Sequence, residues 1–532
     1  MKTPRSDCCN LFSSRRMPLR FRNACATAIG ASAVWTFAAP LPPPPSTDDL
    51  PRVYDASAIR EHWDAQPRRV ARRCAEIVSS TAPLVSSFLW ARFGPSSTGH
   101  IDDETKVALA IKLRDVLVKL GPTYIKFGQA LSIRPDVMPP SAIAALQTLC
   151  DSCPAFDDAT AMATMRDELG VEAFNALTWT DVDPRTGLPM PIAAASLGQV
   201  YRATALVNGC PVAVKVQRPD MVGAVSLDLH ILRGVAAVAD WLQSRLTAHQ
   251  PYHADVLHTF AEASYRELDY EHEGRNQERF ASLIAAKLGD AVHVPDVYWS
   301  HVSRRVLTTG WVEGTKLSSC DSDTINSLVN VGVHCFLVQL LELGFFHCDP
   351  HPGNLLVRKH PRTGEQQLVL IDFGLCAEVP TLQTKTMVKA LIALFRNEIP
   401  ELIEHAIVLG FLPHSLPVKE RAALAPVLAT VVSRGLLTAG SDMAARKARF
   451  STMTKELNQI FFEFPFSIPP YFALITRALV TLEGIALAGD PAFDLFDSAR
   501  PYVSKRALEL GMRGELGVTV AEIHHVRTLL RL

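Results

Sequence analysis

An α+β fold of two lobes is predicted by three features of this chain. From Pro191 the pattern turns strand-like, and Val212-Ala213-Val214-Lys215-Val216 alternates as a half-buried strand does. Further on, Leu355-Leu356-Val357 and Leu368-Val369-Leu370-Ile371 read as short buried strands that fix the loops beside them. Long stretches before and after these strands carry apolar residues at helical spacing.

The loops beside the later strands carry the chemistry. His347-Cys348-Asp349-Pro350-His351-Pro352-Gly353-Asn354 is followed by Ile371-Asp372-Phe373-Gly374. An Asp, an Asn five residues later and a second Asp in a D-F-G triplet form the base and metal set of protein-kinase-like folds. Asp349 is placed near an incoming hydroxyl, while Asn354 and Asp372 offer the hard oxygen ligands that Mg²⁺ needs against the phosphates of ATP. A lone D-F-G arises by chance, but behind H-x-D-x-x-x-x-N it is a specific signal.

At 532 residues the chain holds two or three domains, or one two-lobed unit that takes up most of it. Hydrophobic content of 48% and charged content of 20% describe a globular protein, and the net charge of −1 argues against nucleic acid as a partner. Eleven cysteines, odd in number and scattered, argue against a disulfide framework. Cys150-Asp151-Ser152-Cys153 has no second pair and reads as two buried thiols before zinc or redox chemistry. Residues 1–51 do not read as fold. Lys2, Arg5, Arg15, Arg16, Arg20 and Arg22 against the single acid Asp7 have the composition of an organelle transit peptide. The Ala-rich run Ala24 to Leu41 is short for a membrane span and reads as the end of that signal, with an anchoring helix as the alternative.

Taken in order, Tyr54 to Thr98 predicts lead-in helices (Ile77, Leu84, Phe88, Leu89). Gly121-Pro122 interrupts the next helix, and another starts near Thr123 as its cap, putting Lys126 and Gln129 on one face. Ser132, Arg134 and Asp136 continue that polar track. Ala193-Ala194-Ala195-Ser196-Leu197-Gly198-Gln199-Val200 matches the spacing of a glycine-rich phosphate loop, with alanines at the first two glycine positions and Gly198 kept. Lys215 then needs a carboxylate partner, and one helix from Glu267 to Asn276 supplies candidates; Glu267 and Glu273 are not one turn apart, so they suit different partners. Val306 to Gly314 reads as a last strand and hinge, where the backbone from Thr309 to Val312 can meet an adenine edge. Ile325 to Leu343 reads as a helix, as do segments near Gln383–Phe395, Glu420–Leu437, Met453–Phe462 and Pro470–Ala486. The last of these contains Arg477 and Glu483 and is a buried helix, not a span. Val520 to Leu532 reads as an amphipathic tail.

Together the motifs resemble the UbiB/ADCK family of atypical kinases, from about Leu113 to Phe496. The family's K-x-G-Q element falls on Lys126-Phe127-Gly128-Gln129, its Ala-rich loop on Ala193 to Val200, and its E-x-D on Glu267-Leu268-Asp269. Its ATP-pairing lysine falls on Lys215, its helix glutamate on Glu273, and its H-x-D-x-H-P-G-N and D-F-G elements on His347 to Asn354 and Asp372 to Gly374. The resemblance implies a bilobal protein-kinase-like fold: a helical extension over the active site (52–190), an N-lobe (191–311), a C-lobe (312–500) and a tail (501–532).

It also implies roles. Lys215 and Glu273 form the phosphate-positioning pair, with Asp349 completing the catalytic set and Asn354 and Asp372 holding Mg²⁺. Ala193 to Val200, Lys215 and Val312 line the ATP site, and Lys126 with Gln129 makes a lid tied to Glu267 and Asp269. No A-P-E triplet follows Asp372, which weighs with the lid against protein phosphorylation. The implied activity is Mg-ATP-dependent kinase or ATPase chemistry supporting prenylquinone or related lipid metabolism. The implied setting is peripheral on an organelle membrane, a chloroplast before a mitochondrion, with a prenyl-lipid or quinone precursor and quinone-biosynthesis proteins as partners. A nucleotide- and lipid-binding scaffold is the alternative, and a conventional Ser/Thr kinase the third reading. Cys348 and Cys376 flank the site, as packing residues before a thiol-sensitive switch.

Overall fold

The computed structural model describes residues 49–94, 101–132, 138–146, 148–149, 155–246, 253–436 and 469–514. The leader to Thr47, Arg134 and Asp136, the Cys150–Cys153 pair, the Met453–Phe462 segment and the Val520–Leu532 tail lie outside the described residues. The extension opens with α1 (Ala56–Asp64), which Asp55 caps by accepting from the amides of Ser57 and Ala58. α2 (Pro67–Phe93), α3 (Asp103–Leu120) and α4 (Pro122–Leu131) follow. The break before α4 is where the sequence places it, but its cap differs. Gly121, at φ +100°, ends α3 and starts α4, and Pro122 takes the first helical position, where a missing N–H costs nothing. Thr123 is buried instead, close to Asp228. Next come α5 (Pro140–Leu146) and α6 (Asp158–Asn175), the latter broken where Gly170 adopts φ +79°.

The N-lobe sheet uses β1 (Leu177–Trp179), β2 (Ala193–Ala194), β3 (Gly198–Ala205) and β4 (Cys210–Gln217). After β4 come α7 (Met221–Leu246), α8 (His253–Glu267), α9 (Tyr270–Leu288), β5 (Val292–His293) and the sheet's last strand β6 (Val306–Gly310). The order is β1-β3-β4-β6, all antiparallel, with β2 folded onto β3. The sheet thus takes its first strand from before residue 191. Alternation sends Tyr201, Ala203, Val212, Val214 and Val216 to one face, where they pack on Ala161, Met162 and Met165 of α6. Lys215 faces the other way. The single helix read over Glu267–Asn276 is two helices: α8 ends at Glu267, and Asp269 caps α9 by accepting from the His272 amide at 3.2 Å. An Asp that can satisfy an orphan N–H favours ending one helix and starting another.

The C-lobe contains β7 (Thr315–Lys316), α10 (Ser322–Val338) running into a π-helical turn at Gln339–Leu343, β8 (Phe345–His347), β9 (Leu355–Lys359), β10 (Gln366–Leu370) and β11 (Cys376–Glu378). α11 (Thr381–Arg396), α12 (Ile399–Val408), α13 (Val418–Leu436), α14 (Pro470–Gly489) and α15 (Leu495–Met512) complete it. α12 and α15 were not separated by periodicity alone. A core of Leu328, Val329 and Val333 with Phe280, Leu368, Ile475 and Leu482 locks α10 to α9, β10 and α14. The architecture is that of a kinase-like α+β fold.

Two helical stretches, Met221–Arg245 and Ser322–Leu343, are long and apolar enough to cross a bilayer, with 44% and 72% of their apolar windows buried. Both pack within the fold, and Asp228 of the first is clasped by Arg73 of α2. Arg73 Nε lies 2.7 Å from Asp228 Oδ1 and its Nη2 3.0 Å from Oδ2, while Nη2 also donates to the Leu120 carbonyl at 2.7 Å. One guanidinium therefore ties α2, the end of α3 and α7 together. Asp228→Ala leaves that cation with its main partner gone, and we expect a loss of about 3 kcal/mol in urea unfolding; a loss below about 1 kcal/mol contradicts a fastening role.

His293, on β5 beside β10, gives a pH test. Burial, and then Arg358, lower its imidazole to about 4 from the usual 6.5. The unfolded chain binds a proton below 6.5 that the folded one refuses until about 4, so the stability His293 contributes is present above 6.5 and lost as pH falls through that window. Wild type is expected to lose more stability between pH 7 and pH 4.5 than His293→Gln; parallel denaturation midpoints against pH sink the assignment.

Candidate functional site

Lys215 is delivered by the β4 alternation, and Glu273 by the first turn of α9. Lys215 Nζ donates to both Glu273 oxygens at 2.9 Å and lies 3.7 Å from Asp372 Oδ2. The Tyr270 ring sits 4.9 Å from the same ammonium. Burial alone lowers a lysine, but Asp372 and Glu273 hold Lys215 well above its usual value, so it stays charged. Burial, opposed by Lys215 and helped by Asp372, pushes Glu273 up to about 7. One ammonium is shared by two carboxylates.

Asp372 reaches this position through a left-handed backbone, φ +63°, with its Oδ1 accepting from the Gly374 amide at 3.2 Å. Desolvation raises its carboxyl, but 47% of the side chain remains open, and Lys215, Lys126 and the Gly374 N–H bring it below the usual value. Phe373 is fully buried against Phe280 of α9 (4.9 Å) and His347 (5.2 Å), and the Phe373 carbonyl accepts from Asn276 at 3.2 Å. His347 itself is fixed at three points. Its amide donates to Gln339 Oε1 (2.9 Å), which the π-helical turn presents. Its Nδ1 accepts from the Asp349 amide (3.2 Å), so Nε2 carries the proton that is donated to the Asp372 carbonyl (2.6 Å). The histidine thus pins the Asp349 loop to the Asp372 loop. Asn354 donates its amide to the Asp349 carbonyl at 3.1 Å, which leaves its side-chain oxygen as the donor atom for a cation.

The Ala-rich turn closes through Ala195 N–H to Gly198 C=O (2.8 Å), and Arg218 braces it by donating to the Ala195 carbonyl from Nε (3.2 Å) and Nη2 (3.1 Å). Gly198 is required by packing: a Cβ there would stand 2.3 Å from the Val216 carbonyl and 2.7 Å from the Tyr270 hydroxyl. Ser196 is buried, Leu197 is half-buried, and Val200 pairs with Lys215 across the strands. Gln199 is turned away from the cleft, its amide engaged with both the N–H and C=O of Phe156 on the back of the sheet. Val312 lies in the link between β6 and β7. Of the two residues expected to form a lid, Lys126 meets Glu267 Oε2 with its Nζ at 3.1 Å, and Gln129 donates to the Leu149 carbonyl at 3.1 Å. Asp269 serves as the α9 cap, so of the two E-x-D carboxylates Glu267 is the one measured against Lys126. Among the described residues no three or more His, Cys, Asp or Glu side chains form a metal cage.

A model of the ABC1 atypical kinase-like domain matches residues 148–406. The uncharacterized protein slr1919 of Synechocystis is 37% identical over 478 residues, covering 88% of this chain and 78% of that one. The chain belongs to the ABC1 atypical kinase-like family. The UbiB/ADCK resemblance read from the motifs is this same family. Protein ACTIVITY OF BC1 COMPLEX KINASE 3, chloroplastic, of Arabidopsis thaliana is 36% identical over 461 residues, 86% of this chain and 61% of that one. With sll0005 of Synechocystis, 37% identical over 86% of this chain and 63% of its own length, the chain spans just over three-fifths of these two relatives. Among solved structures, the Rv3197–erythromycin complex of Mycobacterium tuberculosis aligns at a TM-score of 0.47 and 21% identity, over 74% of this chain and 96% of that one.

One residue beside this ABC1 site went unread in the sequence. Arg477, on α14 and 128 residues past the loop, donates from Nη2 to Asp349 Oδ1 at 2.9 Å. Its charge served only to exclude a membrane span; a lone arginine in a helical pattern carries no address. Cys348 is fully buried and Cys376 half-buried, and burial raises both thiols, which fits packing better than a switch. Arg477→Gln frees the Asp349 carboxylate. We expect kcat for nucleotide turnover to fall about tenfold or more with KM for ATP changed less than about threefold, and Arg477→Lys to recover part of it. Unchanged kcat in Arg477→Gln removes Arg477 from the site's function.

Proposed function

We propose that the chain is a Mg-ATP-dependent atypical kinase or ATPase. The observation that carries the reading is the Lys215–Glu273 pair at 2.9 Å with Asp372 3.7 Å from the same nitrogen, an assembled phosphate-positioning centre. Lys215 holds the α- and β-phosphates, the Ala-rich turn covers them, and backbone near Val312 meets the adenine edge. The Asn354 amide oxygen and the Asp372 carboxylate suit magnesium, which keeps most of its shell as water and phosphate oxygens and needs few protein ligands. That ion, when bound, neutralises charge on the transferred phosphoryl group. Asp349 accepts the proton of the attacking hydroxyl or water, aimed by Arg477 and the His347 bond. Lys126, held by Glu267 and acting on Asp372, restricts access where a peptide would lie.

The setting proposed is a plastid membrane with prenylquinone or related lipid metabolism, a reading supported by the relatives of Arabidopsis being named chloroplastic. A nucleotide-binding scaffold is favoured by one feature, the Cβ atoms of Ala193 and Ala195 where glycine lets backbone approach phosphate.

The test is Mg²⁺-dependent ATP hydrolysis. Asp372→Asn is expected to lose at least about a hundredfold in kcat while retaining its fold. Lys126→Ala, which opens the lid, is expected to raise turnover. Nucleotide binding without turnover in wild type and in Lys126→Ala moves the chain to the scaffold reading.

A further inference from the structure

The helix that leads into the catalytic loop does not end as an ordinary α-helix. α10 passes at Val338 into the π-helical turn Gln339–Leu343, and Gly344, at φ +65°, closes it. Turns of this kind are rare, occur mostly as single turns within α-helices, and gather at functional sites. This one is fixed along its length. Leu340 and Leu341 are buried in the C-lobe core. At its end the Gly344 carbonyl accepts from the Val379 amide at 2.7 Å, and a Cβ at 344 would stand 2.7 Å from the Val379 carbonyl.

Two polar side chains of the turn are held by other elements. Gln339, 2% exposed, accepts from the His347 amide through Oε1 at 2.9 Å and donates from Nε2 to Cys335 Sγ at 3.2 Å. The small void beside this bond is lined by apolar side chains, among them Leu355, Leu368 and Leu482, none of which could replace Gln339 as an acceptor. Glu342 is clasped by two helices. Lys287 of α9 pairs with its Oε1, and Tyr502 of α15 donates to its Oε2 at 3.2 Å. Arg506 of α15 brings Nη1 to 4.0 Å from Oε1, and its Nε donates to the Leu341 carbonyl at 3.3 Å.

The clasp is not a solvated surface pair: the Glu342 side chain is 19% exposed and that of Arg506 11%. Burial alone raises the Glu342 carboxyl, but Lys287 and Arg506 bring it below its usual value, so it stays charged. α9 therefore meets the catalytic apparatus twice. Its first turn presents Glu273 to Lys215, and its last turn, about 21 Å along the axis, presents Lys287 to Glu342. From the turn the contacts run through Gln339 to the His347 amide, and from His347 to the Asp349 amide and the Asp372 carbonyl. Slippage of the turn by one residue rotates a side chain by about 100°, enough to take Gln339 off that amide.

We propose that the π-helical turn is the positioning element of the catalytic loop, and that Glu342, clasped by Lys287, Tyr502 and Arg506, is a positioning residue that keeps Gln339 on the His347 amide. The inference rests on the kinase reading for the reaction it serves, so it is measured both with and without turnover.

The variants are Gln339→Met, which keeps length and burial but removes the acceptor, Glu342→Ala, Glu342→Gln and the double variant Gln339→Met/Glu342→Ala. In Mg²⁺-dependent ATP hydrolysis, Gln339→Met is expected to lose at least about tenfold in kcat with KM for ATP changed less than about threefold. Glu342→Ala is expected to lose about threefold or more, and Glu342→Gln, which keeps the Tyr502 bond, to recover part of it. The double variant should be no slower than Gln339→Met, because Glu342 acts through Gln339. Losses in kcat that multiply in the double variant, or an unchanged kcat in Gln339→Met, overturn the proposal. Amide hydrogen exchange reads the same link without turnover: residues 345–349 should exchange at least about tenfold faster in Gln339→Met and in Glu342→Ala, with β4 unchanged. Exchange that stays at the wild-type rate overturns the proposal while leaving the kinase reading intact. A wild type without turnover whose loop exchange responds as expected keeps the positioning link and sinks the kinase reading instead.

Discussion

The site depends on one ammonium held between two carboxylates. Lys215 cannot leave its strand, because Val214 and Val216 on either side are buried in the back of the sheet. Glu273 cannot leave either, because α9 is anchored below by Phe280 and Ile284 in the C-lobe core and started above by Asp269. Asp372 is the strained partner: its left-handed backbone is a conformation that costs a non-glycine residue free energy, and neighbouring contacts must hold it there. The Phe373 ring in its pocket, the Asn276 bond to the Phe373 carbonyl and the His347 bond to the Asp372 carbonyl are those contacts. Sheet, helix and both loops are therefore coupled through a charge arrangement that none of them makes alone.

How much of this was legible follows from sequence separation. Asp349, Asn354 and Asp372 lie in two neighbouring loops, so their spacing reports their geometry directly, and the alternation around Lys215 reports which way it points. Backbone-level choices were harder. Thr123 and Gly121 are both helix-start residues, and only the positive φ at 121 decides for the glycine. Glu267 to Asn276 has unbroken helical composition, and the break at Asp269 comes from a side chain competing for a backbone amide, which periodicity does not register. Gln199 sits inside a phosphate-loop pattern yet turns to the back of the sheet because Phe156 offers it a peptide group there. Arg477 was illegible for a different reason: only tertiary packing of α14 brings it to Asp349.

The lid raises a mechanical question that the packing answers. Lys126 sits on α4, and α4 packs on the neighbouring helices of the N-lobe side: Phe127 lies against Phe260 of α8 at 5.1 Å. The fastening of the extension is equally local, through Arg73 to Asp228 and Trp63 Nε1 to Ser226 Oγ at 3.0 Å. α7 follows directly from β4, the strand that carries Lys215. α4 is thus fastened to α7 and α8, the helices that follow the Lys215 strand. On the proposed lid reading, freeing α4 requires separating the Lys126–Glu267 pair, 25% and 16% exposed. Glu267, at 3.1 Å, and the Asp372 carboxylate both attract this lysine. A cation held at Asp372, as proposed, would compete with Lys126 for that carboxylate and leave the Glu267 contact as the main restraint on the lysine.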